Sequence, residues 1–243
     1  MRAEVEIMKA LVTAISSIAA LTLSAPAFAL VANGDFETAE AVSGVPTTAG
    51  DWGQDLATIV AAENGISPFS GSRMLRFDST SSTLPGSGLG SDVTQLIDLT
   101  PDAAAIAAGA TLSAAAFFNR VTGDSNTDTE FNIALRAYHG VLASFADASF
   151  SSSPLALSSN ALFSDGNPAT WETLGTSLDL PVNTTFVALT ITARENVLNS
   201  TPEFDGHYAD NVSASLAAVP EPETYALFLA GLGLVALARR HRS

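Results

Sequence analysis

The stretch FVALTITA at residues 186–193 alternates: Val187, Leu189 and Ile191 fall on one face, and Ala188, Thr190 and Thr192 on the other. A period of two marks a strand with one buried face, and β-branched residues suit that pleated surface. The same pattern recurs through most of the chain. At 208–216, YADNVSASL, it places Tyr208, Asp210, Val212, Ala214 and Leu216 on a common face. Further strands are expected at 56–62, 73–78, 93–99, 111–121, 131–139 and 141–150. One helical turn interrupts them at 100–109, TPDAAAIAAG, with Thr100 as cap, Pro101 at the first position and Gly109 at its end. The Ser- and Gly-rich stretches 79–91 and 150–159 read as mobile surface loops. Short strands separated by turn residues make the chain all-β, an antiparallel jelly-roll β-sandwich.

A chain of 243 residues has room for one such domain plus signals at its ends. Cysteine is absent, which excludes disulfides, zinc–thiolate sites and a cysteine nucleophile. Residues 30–219 hold five arginines, no lysine and 21 acids, a formal charge of −16. Such a surface repels phosphate backbones and anionic lipid, so nucleic acid is excluded as a partner. A neutral glycan or a cation such as calcium suits it.

The ends carry signals. Residues 8–29, MKALVTAISSIAALTLSAPAFA, have the charged, apolar and small-residue layout of a secretory signal helix, with cleavage expected after Ala29. The chain ends VPEPETYALFLAGLGLVALARRHRS, residues 219–243. Its apolar run, 225–238, is short for a membrane span, which wants about 20 apolar residues. Arg239, Arg240 and Arg242 would hold the C-terminus on the cytoplasmic side. Pro220 and Pro222 keep 219–223 extended and accessible. The order Val219-Pro220-Glu221-Pro222, apolar helix, then Arg239 and Arg240 resembles the PEP-CTERM sorting signal of Gram-negative bacteria. That resemblance implies an exosortase that cuts near the motif. It also implies transient inner-membrane contact through a short C-terminal transmembrane helix, and delivery to the cell surface or medium. A plain tail anchor is the competing reading. The chain therefore divides into 1–29, signal peptide; 30–218, body; and 219–243, sorting signal.

NGDFET (33–38), Trp52, SGSRMLRF (70–77), TQLIDL (94–99) and YADNVS (208–213) together resemble the galactose-binding-like jelly rolls, which include several carbohydrate-binding modules. The resemblance implies that the first and last strands are neighbours. It further implies a structural calcium held by Glu37 and Asp210, with carbonyls near Ser72 or Arg73. Calcium takes six to eight oxygens and favours carboxylates fixed on different strands. The alternative is that Asp35 and Glu37 only solvate a strand edge.

Other motifs are weaker. GDSNTDTEF (123–131) begins like a calcium loop, but Glu130 replaces its glycine and Leu135 its bidentate acid, so it reads as a polar hairpin tip. No serine lies in a G-x-S-x-G elbow, the histidines are His139, His207 and His241, and no pair of acids stands out. An enzyme is not expected. Glycan recognition needs an apolar ring and planar polar groups. Trp52, Tyr138, Trp171 and Tyr208 are the ring candidates, with Asn119, Arg120, Arg194 and Glu195 as polar neighbours. Core packing is the alternative for each ring. The expected function is a non-catalytic binding module for exopolysaccharide. A structural matrix or biofilm protein without a discrete ligand stands second, and a carboxylate-based glycoside hydrolase is a more distant alternative.

Overall fold

The computed structural model describes residues 30–80, 90–196 and 206–217, together with Gly231. The expected signal peptide, most of the 79–91 loop and the sorting residues Val219, Pro220, Glu221, Pro222, Arg239 and Arg240 lie outside the described residues. No helix among the described residues is long and apolar enough to cross a membrane.

Among the described residues ten strands form: β1 (Val42–Gly44), β2 (Trp52–Val60), β3 (Met74–Phe77), β4 (Gly90–Asp98), β5 (Thr111–Arg120), β6 (Thr129–Tyr138), β7 (Ala156–Phe163), β8 (Glu172–Asp179), β9 (Phe186–Glu195) and β10 (His207–Ala217). Nine run in the order β7-β6-β9-β4-β2-β3-β10-β5-β8, β1 pairs with β2, and every strand pairing is antiparallel. The path turns over within β2. Trp52, Gly53 and Gln54 pair with β4, whereas Ala57 to Val60 pair with β3. Gln54 absorbs the turn at φ 90°, a region that ordinarily favours glycine.

The turnover folds the path into a jelly-roll sandwich, β7-β6-β9-β4 over β3-β10-β5-β8. Inward residues Ile133, Leu135, Leu189, Ile191 and Val93 of one layer share a single buried cluster with Leu112, Phe118, Leu174 and Ala209 of the other. Phe118 stacks on Phe131 across the interface, ring centroids 4.8 Å apart. Each large side chain so buried contributes about 1.5–3 kcal/mol. The two ends of the path meet through side chains. The Ser158 and Thr176 hydroxyls lie 2.8 Å apart, and Asn160 Nδ2 donates to Gly175 O at 3.0 Å.

Four expectations need correction. Residues 141–150 are not a strand but a 3-10 segment, Leu142–Ala146, followed by a helical turn, Ala148–Ser151. The Asp147 carboxylate accepts from Ser149 N and caps that turn, a local bond that outweighs weak alternation. The 150–159 stretch is a loop only in its first half, since β7 starts at Ala156, and β8 was not expected at all. Thr100 does not cap its helix; its hydroxyl donates to Asp98 Oδ1. Lastly, β10 is bulged: Asp210 faces Phe117, Ser213 faces Ala115, and Asn211 between them has φ 48°. Tyr208 and Asp210 therefore share the outward face with Phe117 and Asn119, while Ala214 and Leu216 turn inward with Ala114 and Leu112. The single face expected for this strand is split in two.

Candidate functional site

Opening and closing segments of the body touch. Val212 N donates to Gly34 O at 2.7 Å, at the bulge. This junction brings Glu37 and Asp210 to one short turn, 70–73. The Glu37 carboxylate accepts from Ser72 N at 2.7 Å, Ser72 Oγ at 2.8 Å and Arg73 N at 2.9 Å. These donors, the Ser72 amide foremost, hold its pKa below the usual carboxylate range. Asp210 accepts from Ser70 N at 3.0 Å and Asn211 N at 2.6 Å. Burial pushes its carboxyl up to about 6, and the neighbouring Glu37 charge adds to the rise. Gly71 sits at φ 62°, and a Cβ there would lie 2.3 Å from Glu37 Oε1.

Amide N–H groups of Ser72 and Arg73 face Glu37. The two carboxylates still come from different segments and feel each other's charge, and their oxygens are of the class calcium takes. Among the described residues no group of three His, Cys, Asp or Glu gathers to hold a metal. The side-chain carboxylates available to an ion at this turn would be Glu37 and Asp210.

Six glycan-contact candidates prove to be interior: Trp52, Tyr138, Tyr208, Asn119, Arg120 and Glu195. Trp52 is 2% exposed, packs on Phe36, and donates its indole N–H to Ala32 O at 3.1 Å. Tyr138 packs in a cluster with Phe150 and Phe186, covered by residues 142–151. Asn119 donates to Pro168 O at 3.1 Å. Arg120 pairs with Asp128 at 2.8 Å, both fully buried. Arg120 also donates to Thr129 Oγ1, which adjoins His207 Nε2 at 2.9 Å, and that nitrogen lies 3.0 Å from Glu195 Oε2. A guanidinium enters a sandwich interior only with such partners. Asp128, expected on a hairpin tip, is one of them. Tyr208 is buried as well, its hydroxyl accepting from Asn64 and donating to Glu63.

The remaining two candidates, Arg194 and Trp171, lie on opposite layers. Arg194 belongs to the outer face of β4, β9, β6 and β7. Register places Gly90, Arg194, Glu130 and Phe163 in one row, then Asp92, Thr192, Asn132 and Ala161. Thr94, Thr190, Ala134 and Ser159 follow, and then Leu96, Ala188, Arg136 and Leu157. A chain of hydrogen bonds crosses the strands. Arg136 Nη1 donates to Thr190 Oγ1 at 3.2 Å, the Thr190 and Thr94 hydroxyls are 2.8 Å apart, and Thr94 donates to Gln54 Oε1 at 2.8 Å. Thr192 Oγ1 donates to Asp92 Oδ1 at 2.6 Å. Segment 142–151 walls one end by packing on Leu96, Tyr138, Phe186 and Ala188. Of this face only Arg194 was singled out from sequence; outward polar positions alternating along four strands would have pointed to Gln54, Asp92, Asn132, Arg136 and Thr192.

On the other layer Trp171 is half-buried and donates its indole N–H to Ser67 O at 3.0 Å. Phe69, 42% exposed, stacks on Phe117 with centroids 3.7 Å apart and meets the Trp171 ring edge-on at 6.2 Å. Phe117 is the register partner of Asp210. Neither Phe69 nor Phe117 was anticipated, because a lone Phe in sequence reads as core.

Residues 218–243 match the PEP-CTERM protein-sorting motif, so the chain ends in a sorting signal. No curated protein matches the sequence significantly. Among solved structures, the chain resembles TmCBM61 in complex with beta-1,4-galactotriose at 11% identity and TM-score 0.44, over 79% of this chain and 99% of that one. An apo form cyclase from Fischerella sp. gives 15% identity and TM-score 0.44, over 79% and 96%. The CBM22-1 xylan-binding domain from Paenibacillus barcinonensis Xyn10C gives 11% and 0.38, over 80% and 97%. At such distance neither ligand nor activity carries over to this chain.

Proposed function

We propose that this protein is exported, processed by an exosortase at its C-terminal signal, and positioned at the cell surface or in the extracellular matrix, where its body binds exopolysaccharide without turning it over. The observation behind binding is the polar outer face of β4, β9, β6 and β7. Gln54, Asp92, Asn132, Arg136, Thr192 and Arg194 offer partly or fully exposed hydrogen-bonding groups on a rigid sheet. Gln54 and Arg136 are already held by Thr94 and Thr190, and Asp92 by Thr192, so little conformational freedom is lost when a ligand's hydroxyls engage them. A body of charge −16 favours neutral, hydroxyl-rich chains over polyanions. Calcium, in this reading, binds at Glu37 and Asp210 and ties the two ends of a domain that lacks disulfides. The sorting motif supports export and exosortase processing, with inner-membrane contact confined to the tail before cleavage.

Affinity electrophoresis of the mature protein through gel containing the host's exopolysaccharide tests binding. Saturable retardation is expected, and Arg136→Ala with Asn132→Ala should reduce it at least tenfold. Absence of retardation would favour a structural matrix protein, and release of reducing ends a glycoside hydrolase. Deleting residues 219–243 should yield a product secreted without surface retention; unaltered localisation and mass would reject the sorting assignment.

A further inference from the structure

We infer that Phe69, Phe117 and Trp171 form a second glycan site, on the opposite layer from the polar face, so that one molecule bridges two polysaccharide chains. The inference rests on the proposed glycan-binding reading and extends it. Phe117 stacks on the Phe69 ring at 3.7 Å and 18°, and Phe69 stays 42% exposed. The Trp171 indole is tethered to Ser67 O beside it. The segment that carries Phe69 is held from both sides, Ser70 by Asp210 and Ser72 and Arg73 by Glu37. The rings are thus a fixed platform, not a mobile loop tip.

The size and rim of the platform select its occupant. A phenylalanine carries on the order of 200 Å² of surface, so the open part of Phe69 amounts to roughly 80 Å². That is on the order of the face of one pyranose ring. The C–H face of a pyranose stacks on an aromatic ring, while its hydroxyls donate to carboxylate oxygens. Glu37, exposed, supplies an acidic group at this turn, and its charge turns away nucleic acid and anionic lipid.

Geometry separates the two sites. Inner side chains of both layers pack into a single core, so their outer faces point in opposite directions. A chain on one face leaves the other free. Two sites on one body convert binding into cross-linking.

The probes are neutral soluble polysaccharides: β-1,4-galactan, xylan and hydroxyethylcellulose. With the intact mature protein, at least one probe should change Trp171 emission, and light scattering should rise as chains are bridged. Phe69→Ala should lower bridging at least tenfold while retardation through the polar face persists. Arg136→Ala with Asn132→Ala should reduce retardation yet leave the Trp171 response. Circular dichroism and melting temperature confirm that each variant is folded, and Phe69→Leu, which keeps an apolar cover without a ring, should behave as Phe69→Ala does. Undiminished bridging by Phe69→Ala, or retardation of wild type without any Trp171 response, would overturn the second site and leave the first standing. A wild-type dimer that Phe69→Ala dissociates would show the platform to be a contact between copies. Neither retardation nor a Trp171 response with any probe would remove the glycan reading and the second site together.

Discussion

Alanine at Gly34 tests the junction on which the arrangement of Glu37 and Asp210 depends. A Cβ there would lie 2.0 Å from Val212 O and 3.0 Å from both Val212 C and Val31 Cγ1. The nearest obstacle is backbone in a bulged strand and has no rotamer to change, so the segments must separate by roughly 1.4 Å to reach ordinary van der Waals contact. That movement breaks the Val212 N to Gly34 O bond, which contributes about 1 kcal/mol, and adds overpacking of about 1–3 kcal/mol. The sum, roughly 2–4 kcal/mol, corresponds to a fall in melting temperature of about 5–15 °C for a body of this size. Gly65→Ala is the control. It sits at φ 80° with no neighbour within 4 Å, and should lose only the left-handed backbone penalty, about 1–2 kcal/mol. Scanning calorimetry of both variants decides the matter. If Gly34→Ala melts no lower than Gly65→Ala, the close approach of the body's two ends is wrong.

Asp210 should make stability depend on pH. Its carboxyl is raised from 3.8 to about 6 in the fold, so the folded state holds the proton over that window and stability falls as pH rises from about 4 to 6. The effect should be on the order of 1–2 kcal/mol after discounting for screening, and Asp210→Asn in chelator should flatten it; an identical pH profile would reject the assignment. Added calcium should raise the melting temperature of wild type and not of Asp210→Asn, and an equal response in both would remove the ion from this turn. In the core, Phe131→Ala should cost about 3–5 kcal/mol by chemical denaturation, because it removes the ring stacked on Phe118; a loss under 1 kcal/mol would contradict the shared interior.

Strands were legible where one face meets the common core and the other does not. β9, β6, β5 and β4 carry that contrast in their side chains, and their expected limits lie within a few residues of those observed. β7 and β8 end the path. β7 turns Ser158 and Asn160 inward and Leu157, Ala161 and Phe163 outward, and the outer positions of β8 are Thr173, Gly175, Ser177 and Asp179, so a Ser-rich strand looks like a loop. The bulge at Asn211 left no mark in the alternation, because Val212 and Leu216 are apolar whichever way the strand turns. Glu37 and Asp210 were reachable through the motifs around them. Arg120 was not, because Asp128, Thr129, Glu195 and His207 surround it from separate elements, and only folding brings acids from distant stretches within reach of a buried cation.

The place of β10 in the path has a mechanical consequence. The sorting tail follows directly from this strand, so any anchor made near the cut pulls on β10 first. It is no edge strand that peels off: nine register pairs tie it to β5, and Tyr208 and Ala209 tie it to β3 on its other side. A tug from the envelope or from a flowing gel is thus shared across the middle of the fabric before any strand tears loose.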